Sequence, residues 1–235
     1  MDGVSKQQEY YDRTASLYEE WHVNEPEHEF AIAFLSSLLL YFSVSSLLDV
    51  GSGTGRVIRR LKNDPRHKNL TIKGIEPVAA LREQAYKMGV KKDEIIDGDA
   101  TKIQFEEKSF DFVCAFGVLH HVKRPEYIIK EMIRVANKGI FISDMNNFGC
   151  GILSERITKQ FINALGLWKI FQFVRTLGKG YKYSEGDGFH YSYSVYDNYR
   201  QLSDLCSDIF ILNTGGKGKN PYRSCSHVAL VGIKK

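Results

Sequence analysis

Three glycines at alternate positions form the part of the sequence best suited to binding a ligand. Gly51, Gly53 and Gly55 follow a short apolar run that ends in Asp49-Val50, and Ser52 separates the first two glycines. Glycine tolerates positive φ angles and lets a ligand approach the backbone amides closely. The residues after Gly55 have helical spacing, so we predict a strand, a tight turn and a helix. A helix N-terminus behind such a turn attracts an anionic group.

The residue after the third glycine separates two classes of cofactor that use such a turn. A dinucleotide fingerprint needs a small residue at its sixth position, because helix and strand pack closely there. Arg56 occupies this position, which disfavours a nicotinamide-dependent oxidoreductase. From Asp49 to Gly55 the pattern is acid-x-Gly-x-Gly-x-Gly, which resembles the first motif of the seven-stranded (class I) S-adenosylmethionine-dependent methyltransferases.

The resemblance to this family extends from about residue 10 to residue 144. It implies an α/β fold, a Rossmann-like three-layer sandwich around a seven-stranded, mostly parallel sheet whose last strand is antiparallel, with a helical lid insertion. It also implies S-adenosyl-L-methionine as the cofactor and S-adenosyl-L-homocysteine as the product. The residues that it assigns to cofactor binding are Tyr11, Asp49, Gly51, Ser52, Gly53, Gly55, Glu76, Pro77, Asp99, Ala100, Ala115 and Phe116.

Acidic residues end two further predicted strands. Glu76 follows the strand over residues 70–75, and its carboxylate can accept hydrogen bonds from both hydroxyls of a ribose. Pro77 after it suits the start of the next helix. Asp99 and Ala100 follow the strand at residues 95–96. In the resembled family this acid–small pair lies beside the adenine, where Asp99 would accept a hydrogen bond from the exocyclic amine. Each acid could also end its strand by chance.

Four side chains are candidates for acting on the methyl acceptor: His120, His121, His190 and Tyr11. Displacement of a methyl group from a sulfonium needs orientation above all, and a base only where the nucleophile must lose a proton. Histidine, with an ordinary pKa of about 6.5, suits that task. His120 and His121 follow the fourth strand, where ligands bind in open α/β sheets. The family often has this pair whatever its substrate, so the alternative to a catalytic role for the two histidines is a structural one.

The other two candidates also have structural alternatives. His190 lies in an aromatic segment, where a surface position is the competing interpretation. Tyr11 belongs to an N-terminal segment similar to the one that folds over the cofactor in small-molecule methyltransferases. It could orient a nucleophile or pack on the core.

The predicted elements alternate as this fold requires, and we predict a single methyltransferase domain over residues 1–235. Its predicted parts are an N-terminal helical cap (1–45), a cofactor-binding core (46–145), a lid or substrate insertion (146–195), and a C-terminal helix with the last two strands (196–235). Within the cap, helices are predicted over residues 4–22 and 27–42. Apolar residues that recur every three or four positions predict helices over 153–178.

The end of the chain is predicted from local signals. An aromatic-rich loop is expected from Tyr181 to Tyr193, and Ser194 is expected to cap a helix that runs to about Cys206. The last two strands are placed at residues 210–212 and 226–233, with a flexible glycine-rich connection at 215–218.

Composition limits the partners and the compartment. The 235 residues carry 32 Lys and Arg against 28 Asp and Glu, an excess too small to imply a polyanionic partner. The four cysteines are far apart and lack the spacing of zinc ligands, so free thiols and a cytoplasmic location are expected. The apolar run over residues 30–44 is shorter than a membrane span and follows an acidic flank, which predicts a buried helix.

Missing motifs narrow the acceptor further. No Asn/Asp-Pro-Pro-Tyr follows the fourth strand, and there is no Pro-Cys pair or basic stripe, so nucleic acid is not expected as a substrate. The segment Asp144–Asn147 resembles the carboxylate and amide ligands of metal-dependent catechol methylation. The acid expected after the fourth strand is missing, and we therefore predict no metal.

The insertion points to an acceptor with an apolar body. Its aromatic and apolar residues favour a small molecule with an aromatic or hydrophobic body, methylated at oxygen or nitrogen. The alternatives are a protein- or RNA-modifying methyltransferase, and a membrane-peripheral lipid or quinone methyltransferase whose 153–178 helices contact lipid. The cations of the insertion could face an acidic group, a membrane or solvent; they are Lys159, Lys169, Arg175, Lys179 and Lys182. The sequence carries no signal of oligomeric state.

Overall fold

The structure is a computed structural model that describes residues 3–18, 25–186, 188–215 and 218–235. Its α-helices are α1 (Gly3–Thr14), α2 (Pro26–Tyr41), α3 (Arg56–Lys62), α4 (Ala79–Lys87), α5 (Pro125–Val135), α6 (Leu153–Ala164), α7 (Trp168–Arg175), α8 (Tyr199–Leu205) and α9 (Pro221–Ser224). Its strands are β1 (Ser46–Val50), β2 (Thr71–Ile75), β3 (Ile95–Ile96), β4 (Phe110–Phe116), β5 (Ala136–Met145), β6 (Tyr181–Ser184), β7 (Gly188–Tyr191), β8 (Cys206–Gly215) and β9 (His227–Lys234).

Seven strands form one sheet in the order β3-β2-β1-β4-β5-β9-β8. The strands β1 to β5 pair in parallel, and β9 runs antiparallel to both β5 and β8. This is the predicted fold. The register places Val50 of β1 opposite Ile75 of β2 on one side and Ala115 of β4 on the other. The loops that follow these three strands therefore leave the sheet side by side.

The central strands are buried on both faces, as the continuous apolar character of β4 predicts. Phe112 and Cys114 pack on the face that α2 and α3 cover. Val113 and Ala115 alternate with them and pack on the opposite face, against α5. The result is a layered arrangement of helices on both sides of a central sheet.

In the first half of the chain, the structure differs from the prediction at the N-terminal helix. The N-terminal helix predicted over residues 4–22 is interrupted, because α1 ends at Thr14 and residues 15–17 form a turn before Tyr18, which is again helical. Residues 19–22, with Trp21, lie outside the described residues. The apolar run from Phe30 is the helix α2, as predicted. In the described ranges, no helix combines the length and the apolar character needed to cross a bilayer.

The insertion after β5 contains the two predicted helices, but its aromatic segment is not a loop. The strands β6 and β7 pair as an antiparallel hairpin, in which Tyr181 lies opposite Tyr191 and Tyr183 opposite Phe189. The prediction of a loop was wrong because the aromatic residues alternate along the strands and their rings contact one another across the hairpin, which stabilises pairing.

The C-terminal elements differ from the prediction in their bounds, because the helix is shorter and the strand β8 is longer than predicted. Ser194 caps a short 3₁₀ turn, and α8 follows it and ends at Leu205. The strand β8 begins directly at Cys206 and runs to Gly215. The predicted glycine-rich connection is followed by a short helix, α9, that the sequence analysis missed. Residues 216–217 of that connection lie outside the described residues.

Candidate functional site

The glycine loop between β1 and α3 uses the backbone freedom of its glycines. Gly51, Gly53 and Gly55 have φ angles of 68°, 54° and 76°. A Cβ atom at Gly51 would lie 2.5 Å from Cγ2 of Val118, so this position is closed by packing. A Cβ atom at Gly53 would meet no atom within 4 Å. The loop therefore presents an open backbone surface at Gly53.

Glu76 lies beside this surface at the end of β2. One carboxylate oxygen, Oε2, accepts a hydrogen bond from the backbone N–H of Gly53 at 2.9 Å, and Oε1 accepts one from Val78 at 2.9 Å. Burial raises the pKa of Glu76 to about 7, although both hydrogen bonds favour the charged form. The carboxyl group is thus held directly against the glycine loop.

Asp49 is a second buried carboxyl group at the same edge. Its side chain is almost fully buried, and Cys114 donates an S–H···O bond to Oδ1 at 3.5 Å. Burial, with a smaller contribution from the nearby Glu76, raises the pKa of Asp49 to about 7. Its Oδ2 atom has no hydrogen-bond partner among the residues that the structure describes. A buried acceptor of this kind is costly unless a donor reaches it.

Three neighbouring cavities share Tyr18 and Phe116 and form one cleft along this edge of the sheet. The first lies over the glycine loop and includes Asp49. The second, of ≈ 140 Å³, is lined by Glu76, Pro77, Tyr11 and His121, among others. The third, of ≈ 310 Å³, is lined by four imidazoles, those of His28, His120, His121 and His227. The cleft therefore joins the glycine loop to a cavity rich in histidine.

His120 is held by a buried carboxylate. Its Nδ1 atom lies 2.7 Å from Oδ1 of Asp144, whose side chain is fully buried at the end of β5. Asp144 also accepts hydrogen bonds from the backbone N–H groups of Leu119 and Met145. Burial alone would raise its pKa, but His120 and these backbone donors lower the pKa of Asp144 below its usual value. In its neutral form, His120 therefore carries its proton on Nδ1 and its lone pair on Nε2.

His121 is oriented by the β6–β7 hairpin and by α1. Its Nδ1 atom lies 2.7 Å from the backbone carbonyl of Phe189. This carbonyl can only accept, whereas the Gln7 amide Nε2, 3.2 Å from the same Nδ1 atom, can only donate. The shorter contact favours a proton on Nδ1 and the lone pair of the neutral ring on Nε2. The hydroxyl of Tyr11 lies 3.4 Å from Nε2. Gln7 binds the same strand, accepting a hydrogen bond from the Phe189 N–H at 2.7 Å. The N-terminal helix α1 and the β6–β7 hairpin thus meet at His121.

The sequence analysis missed two histidines of this cavity. His28 lies in the first turn of α2, where Arg56 joins Glu25 in an ion pair at 2.7 Å. Burial lowers the pKa of His28, and the positive charge of Arg56 acts in the same direction. His227 begins β9 and pairs with Met145 in the sheet. Neither has a local sequence signal, because distant elements bring both to the cleft.

Several predicted site residues lie away from the cleft lining. Asp99 is exposed, and its Oδ1 accepts hydrogen bonds from the N–H and hydroxyl of Thr101 at 2.7 and 2.8 Å. Ala100 and Ala115 pack into the core. His190 lies on β7 opposite Lys182 and does not line the three cavities. The roles given to these four residues remain predictions.

The segment with a resemblance to metal ligands is engaged in other contacts. Asn146 is fully buried; its Nδ2 lies within 3.0 Å of the carbonyl oxygens of Pro221, Tyr222 and Cys225. Its Oδ1 accepts a hydrogen bond from the hydroxyl of Ser194 at 2.9 Å. Among the described residues, no three His, Cys, Asp or Glu side chains come together as a group that could hold a metal ion.

Comparison with known proteins agrees with this geometry. Residues 48–143 match the methyltransferase domain family. The structure of magnesium protoporphyrin IX methyltransferase from Synechocystis, solved with S-adenosylhomocysteine, is similar over the full length of both chains, with a TM-score of 0.62 and 12% identity. Residues 48–143 thus belong to the methyltransferase domain family, and the chain has the seven-stranded fold of the class I S-adenosylmethionine-dependent methyltransferases.

Two curated relatives have similar sequences over part of their length. Phosphatidylethanolamine N-methyltransferase of Cereibacter sphaeroides is 30% identical over 138 residues, which cover 55% of this chain and 66% of the relative. Demethylmenaquinone methyltransferase of Thermotoga maritima is 34% identical over 102 residues, which cover 43% of each protein. The chain thus matches less than two thirds of either relative.

Proposed function

We propose that this enzyme methylates an oxygen or nitrogen nucleophile of a small molecule with an aromatic or hydrophobic body. The observation that carries the proposal is the histidine-rich cavity, which adjoins the glycine loop and lies beside the lid hairpin. Two of its imidazoles have their Nδ1 atoms engaged by Asp144 and by the Phe189 carbonyl.

The residues of the cleft fit an adenosyl sulfonium. Glu76 would accept hydrogen bonds from ribose hydroxyls, and the open backbone at Gly53 leaves room for a ligand against the loop. The orphaned Oδ2 of Asp49 would accept a bond from a ligand donor such as an ammonium group. Pro77 and Leu81 line the same cavity as Glu76 and would pack on apolar parts of the ligand. When bound, S-adenosylmethionine supplies a methyl group on a positively charged sulfur.

The histidines of the third cavity would serve the acceptor. The acceptor's lone pair forms the new bond to the methyl carbon while the carbon–sulfur bond breaks and its electrons stay on sulfur. The acceptor's proton passes to Nε2 of His120 or His121, the ring nitrogen that carries the lone pair in the neutral tautomer. Asp144 is a positioning residue, because it fixes the orientation of His120 without facing the acceptor. Tyr11 would orient the nucleophile through its contact with His121.

An apolar acceptor body is favoured by the surroundings of this cavity. Phe116, Met145, Tyr11 and Tyr18 line it together with the histidines. The two curated relatives are named for lipid and quinone acceptors, which are small molecules with hydrocarbon bodies. Both considerations support a metabolite or lipid acceptor over a protein or RNA.

The test is methyl labelling of a cell extract. The purified enzyme is incubated with S-adenosylmethionine carrying a labelled methyl group and with extract that has been separated into organic-soluble, small aqueous and macromolecular fractions. We expect label in an organic-soluble or small aqueous compound that resists nuclease and protease. The variant Glu76→Gln, which should bind the cofactor weakly, is the control for labelling by other enzymes. Label found in protein or RNA would overturn the proposal.

A further inference from the structure

The two lid helices expose an apolar surface that the fold does not use. Ten large apolar residues between 152 and 177 each expose 47% or more of their surface: Ile152, Leu153, Ile157, Phe161, Leu165, Leu167, Ile170, Phe173, Val174 and Leu177. Soluble monomers rarely expose a contiguous apolar patch larger than a few hundred Å². Ten exposed apolar side chains within one segment of 26 residues therefore indicate a binding surface.

The orientation of α6 shows that its exposed apolar residues do not belong to a helix that has moved away from the core. Its polar side faces the protein, where Lys159 donates hydrogen bonds to the carbonyls of Asn147 and Cys150, and Gln160 donates to those of Phe148 and Arg223. Its apolar stripe at positions 153, 157 and 161 faces outward, and none of its residues is buried. A helix that packs on a core turns its apolar side inward, whereas α6 turns its polar side inward and its apolar side outward.

The second helix continues the surface. In α7, Trp168 and Gln172 are buried one turn apart, whereas the outward positions 170, 173 and 174 have the i, i+3, i+4 spacing of one helical face, and the exposed Leu177 follows just after the helix ends. Leu165 and Leu167, both exposed, join the two stripes across the short turn between the helices. We call these outward faces of α6 and α7 the lid face.

Positive charge borders the lid face. Residues 151–182 contain six Lys or Arg and one Asp or Glu, a net charge of +5 in a chain whose total is +4. Lys169, Arg175 and Lys179 are exposed and, among the described residues, form no salt bridge within 4.0 Å. Burial lowers the pKa of Lys182, and the positive charges of Arg175 and Lys159 lower it further.

A groove joins the charge to the apolar surface. It has a volume of ≈ 570 Å³, lies between α7 and the hairpin, and is lined by Lys169 and Lys179 together with Phe173 of the lid face. The buried Gln172 also lines it, and its Oε1 atom has no hydrogen-bond partner among the described residues. The groove therefore offers cations for a phosphate, an acceptor for a hydroxyl and an apolar wall.

We propose that the lid face docks on an anionic phospholipid surface. Apolar side chains on one face and an excess of Lys and Arg around it are the features of helices that lie in a membrane interface. A second copy of this chain would bring two surfaces of the same charge together, whereas a negatively charged lipid surface complements them. This inference does not depend on the identity of the methyl acceptor.

The test is co-sedimentation with lipid vesicles. The full chain is mixed with vesicles of phosphatidylcholine alone, and with vesicles in which part of the lipid is phosphatidylglycerol. We expect sedimentation with the anionic vesicles, weaker sedimentation with the neutral ones, and partial release by high salt. Absence of binding to the anionic vesicles would overturn the proposal.

Matched variants distinguish vesicle binding through the lid face from nonspecific adsorption of the protein to lipid. Phe161→Ser with Phe173→Ser should weaken binding to anionic vesicles at least about tenfold, because two apolar anchors are lost. Phe30→Ser with Tyr41→Ser, exposed positions on α2, should leave binding unchanged. Lys169→Gln with Lys179→Gln should weaken binding to anionic vesicles but not to neutral ones. The control pair Lys68→Gln with Lys130→Gln should leave binding to both kinds of vesicle unchanged.

Two further measurements keep the outcome interpretable. Stabilisation by S-adenosylhomocysteine must be retained in each lid variant, which shows that the cofactor cleft is still folded. Oligomeric state is measured by size exclusion with and without the Phe161→Ser and Phe173→Ser pair. If the wild-type protein is a dimer that these two substitutions dissociate, and if it does not bind vesicles, the lid face is a contact between two copies of the chain. That result would overturn the proposal. Methyl labelling has a separate readout, so the two proposals can fail independently.

Discussion

His120 and Asp144 form a buried pair across the ends of two parallel strands, with Nδ1 of the imidazole 2.7 Å from Oδ1 of the carboxylate. Asp144 ends a long strand, and two backbone N–H groups hold it in place. His120 therefore has a fixed ring orientation at the edge of the cleft before any acceptor arrives. Such preorganisation is what positions a general base for proton transfer.

The first prediction concerns this pair. Asp144→Asn should lower the free energy of unfolding by on the order of 3 kcal/mol at pH 7, because the amide NH₂ group replaces an acceptor among three donors. The lowered pKa of Asp144 means that its contribution is present above the usual pKa of an aspartate and is lost as pH falls through the lowered value. The difference in unfolding free energy between wild type and variant should therefore persist at pH 4 and narrow only at lower pH, as measured by urea unfolding at pH 7, pH 4 and pH 2.5.

The exposed Asp93 offers a matched control for that experiment. It forms a surface ion pair with Lys73 at 3.4 Å, and its side chain is 74% exposed. Asp93→Asn should change stability by less than about 1 kcal/mol. An Asp144→Asn variant as stable as Asp93→Asn would mean that the buried pair does not hold the site together.

The second prediction concerns the cofactor and Glu76. S-adenosylhomocysteine at ~100 times its Kd should stabilise the wild-type protein by about 2.7 kcal/mol, which raises Tm by roughly 5–10 °C for a chain of this length. Glu76→Gln should lose more than half of this rise, because an amide cannot accept from both ribose hydroxyls. Tm of the unliganded variant should change little, since removing a buried charge offsets the lost bond to Gly53. Differential scanning fluorimetry measures both values.

The control is Glu83→Gln, an exposed position on α4, the helix that follows Glu76. It should retain the full rise in Tm. If Glu76→Gln lowers the unliganded Tm severely while the ligand-induced rise persists, Glu76 is a structural residue and its assignment to the ribose is wrong.

The third prediction is a pH dependence. Burial raises the pKa values of Asp49 and Glu76 to about 7, so between pH 4.5 and 7 the folded state holds protons that the unfolded state has released. Stability of the unliganded protein should therefore fall as pH rises through this window, by the contribution of these two groups. The ligand favours their ionised forms through its donors, so its affinity should rise by up to about tenfold per pH unit per group.

Thermal unfolding with and without S-adenosylhomocysteine at pH 6, 7 and 8 tests this. The ligand-induced rise in Tm should increase from pH 6 to pH 8 in the wild type, and Asp49→Asn should flatten the trend. A ligand-induced rise that is constant or decreasing over this range would contradict the proposed contacts of both carboxyl groups.

The fourth prediction separates strain from ligand contact in the glycine loop. Gly53 and Gly89 both have positive φ angles, and at neither would a Cβ atom meet another atom within 4 Å. Alanine at either position should cost on the order of 1 kcal/mol of stability, because the left-handed conformation is unfavourable for it. Only Gly53→Ala should also lose cofactor-induced stabilisation, since the methyl group would occupy the ligand's side of the loop. Equal cofactor binding by both variants would contradict the placement.

The fifth prediction concerns the two adjacent tyrosines of α1. Tyr11 contacts Nε2 of His121, whereas the hydroxyl of Tyr10 donates to the backbone carbonyl of Glu185 at 2.6 Å. Tyr11→Phe should lower kcat about tenfold or more with little change in Tm, because the hydroxyl serves the reacting groups. Tyr10→Phe should lower Tm and leave kcat nearly unchanged. The labelled product of the extract experiment provides the assay; the reverse pattern would exclude Tyr11 from the reaction.

The sequence predicted the parallel part of the sheet because its signals are local. The glycine loop, the acid that ends β2 and the apolar run of β4 each mark one strand end, and parallel pairing brings these ends together. The hairpin was missed although its signal was present. Tyr181 and Tyr183 alternate on one strand and Phe189 and Tyr191 on the other, with glycines between them, which is the pattern of paired strands.

The histidine-rich cavity could be predicted only in part. The chain order places His120 and His121 after β4, where a ligand is expected. His28 reaches the cleft because α2 packs on the sheet, and His227 because β9 pairs antiparallel with β5. Such tertiary placements leave no trace in local periodicity. The same holds for the contact of the Phe189 carbonyl with His121, which depends on the docking of the hairpin.

The buried side chain of Asn146 has a consequence for how this enzyme could diversify. It joins the start of the insertion to Ser194 at its end, and to the backbone of the segment before β9. Residues 147–193 thus leave and re-enter the body at one fixed point. A replacement segment that begins and ends there could change which acceptor is bound while the residues at the sheet edge keep their positions. The fold therefore permits acceptor preference to evolve by exchange of this one segment.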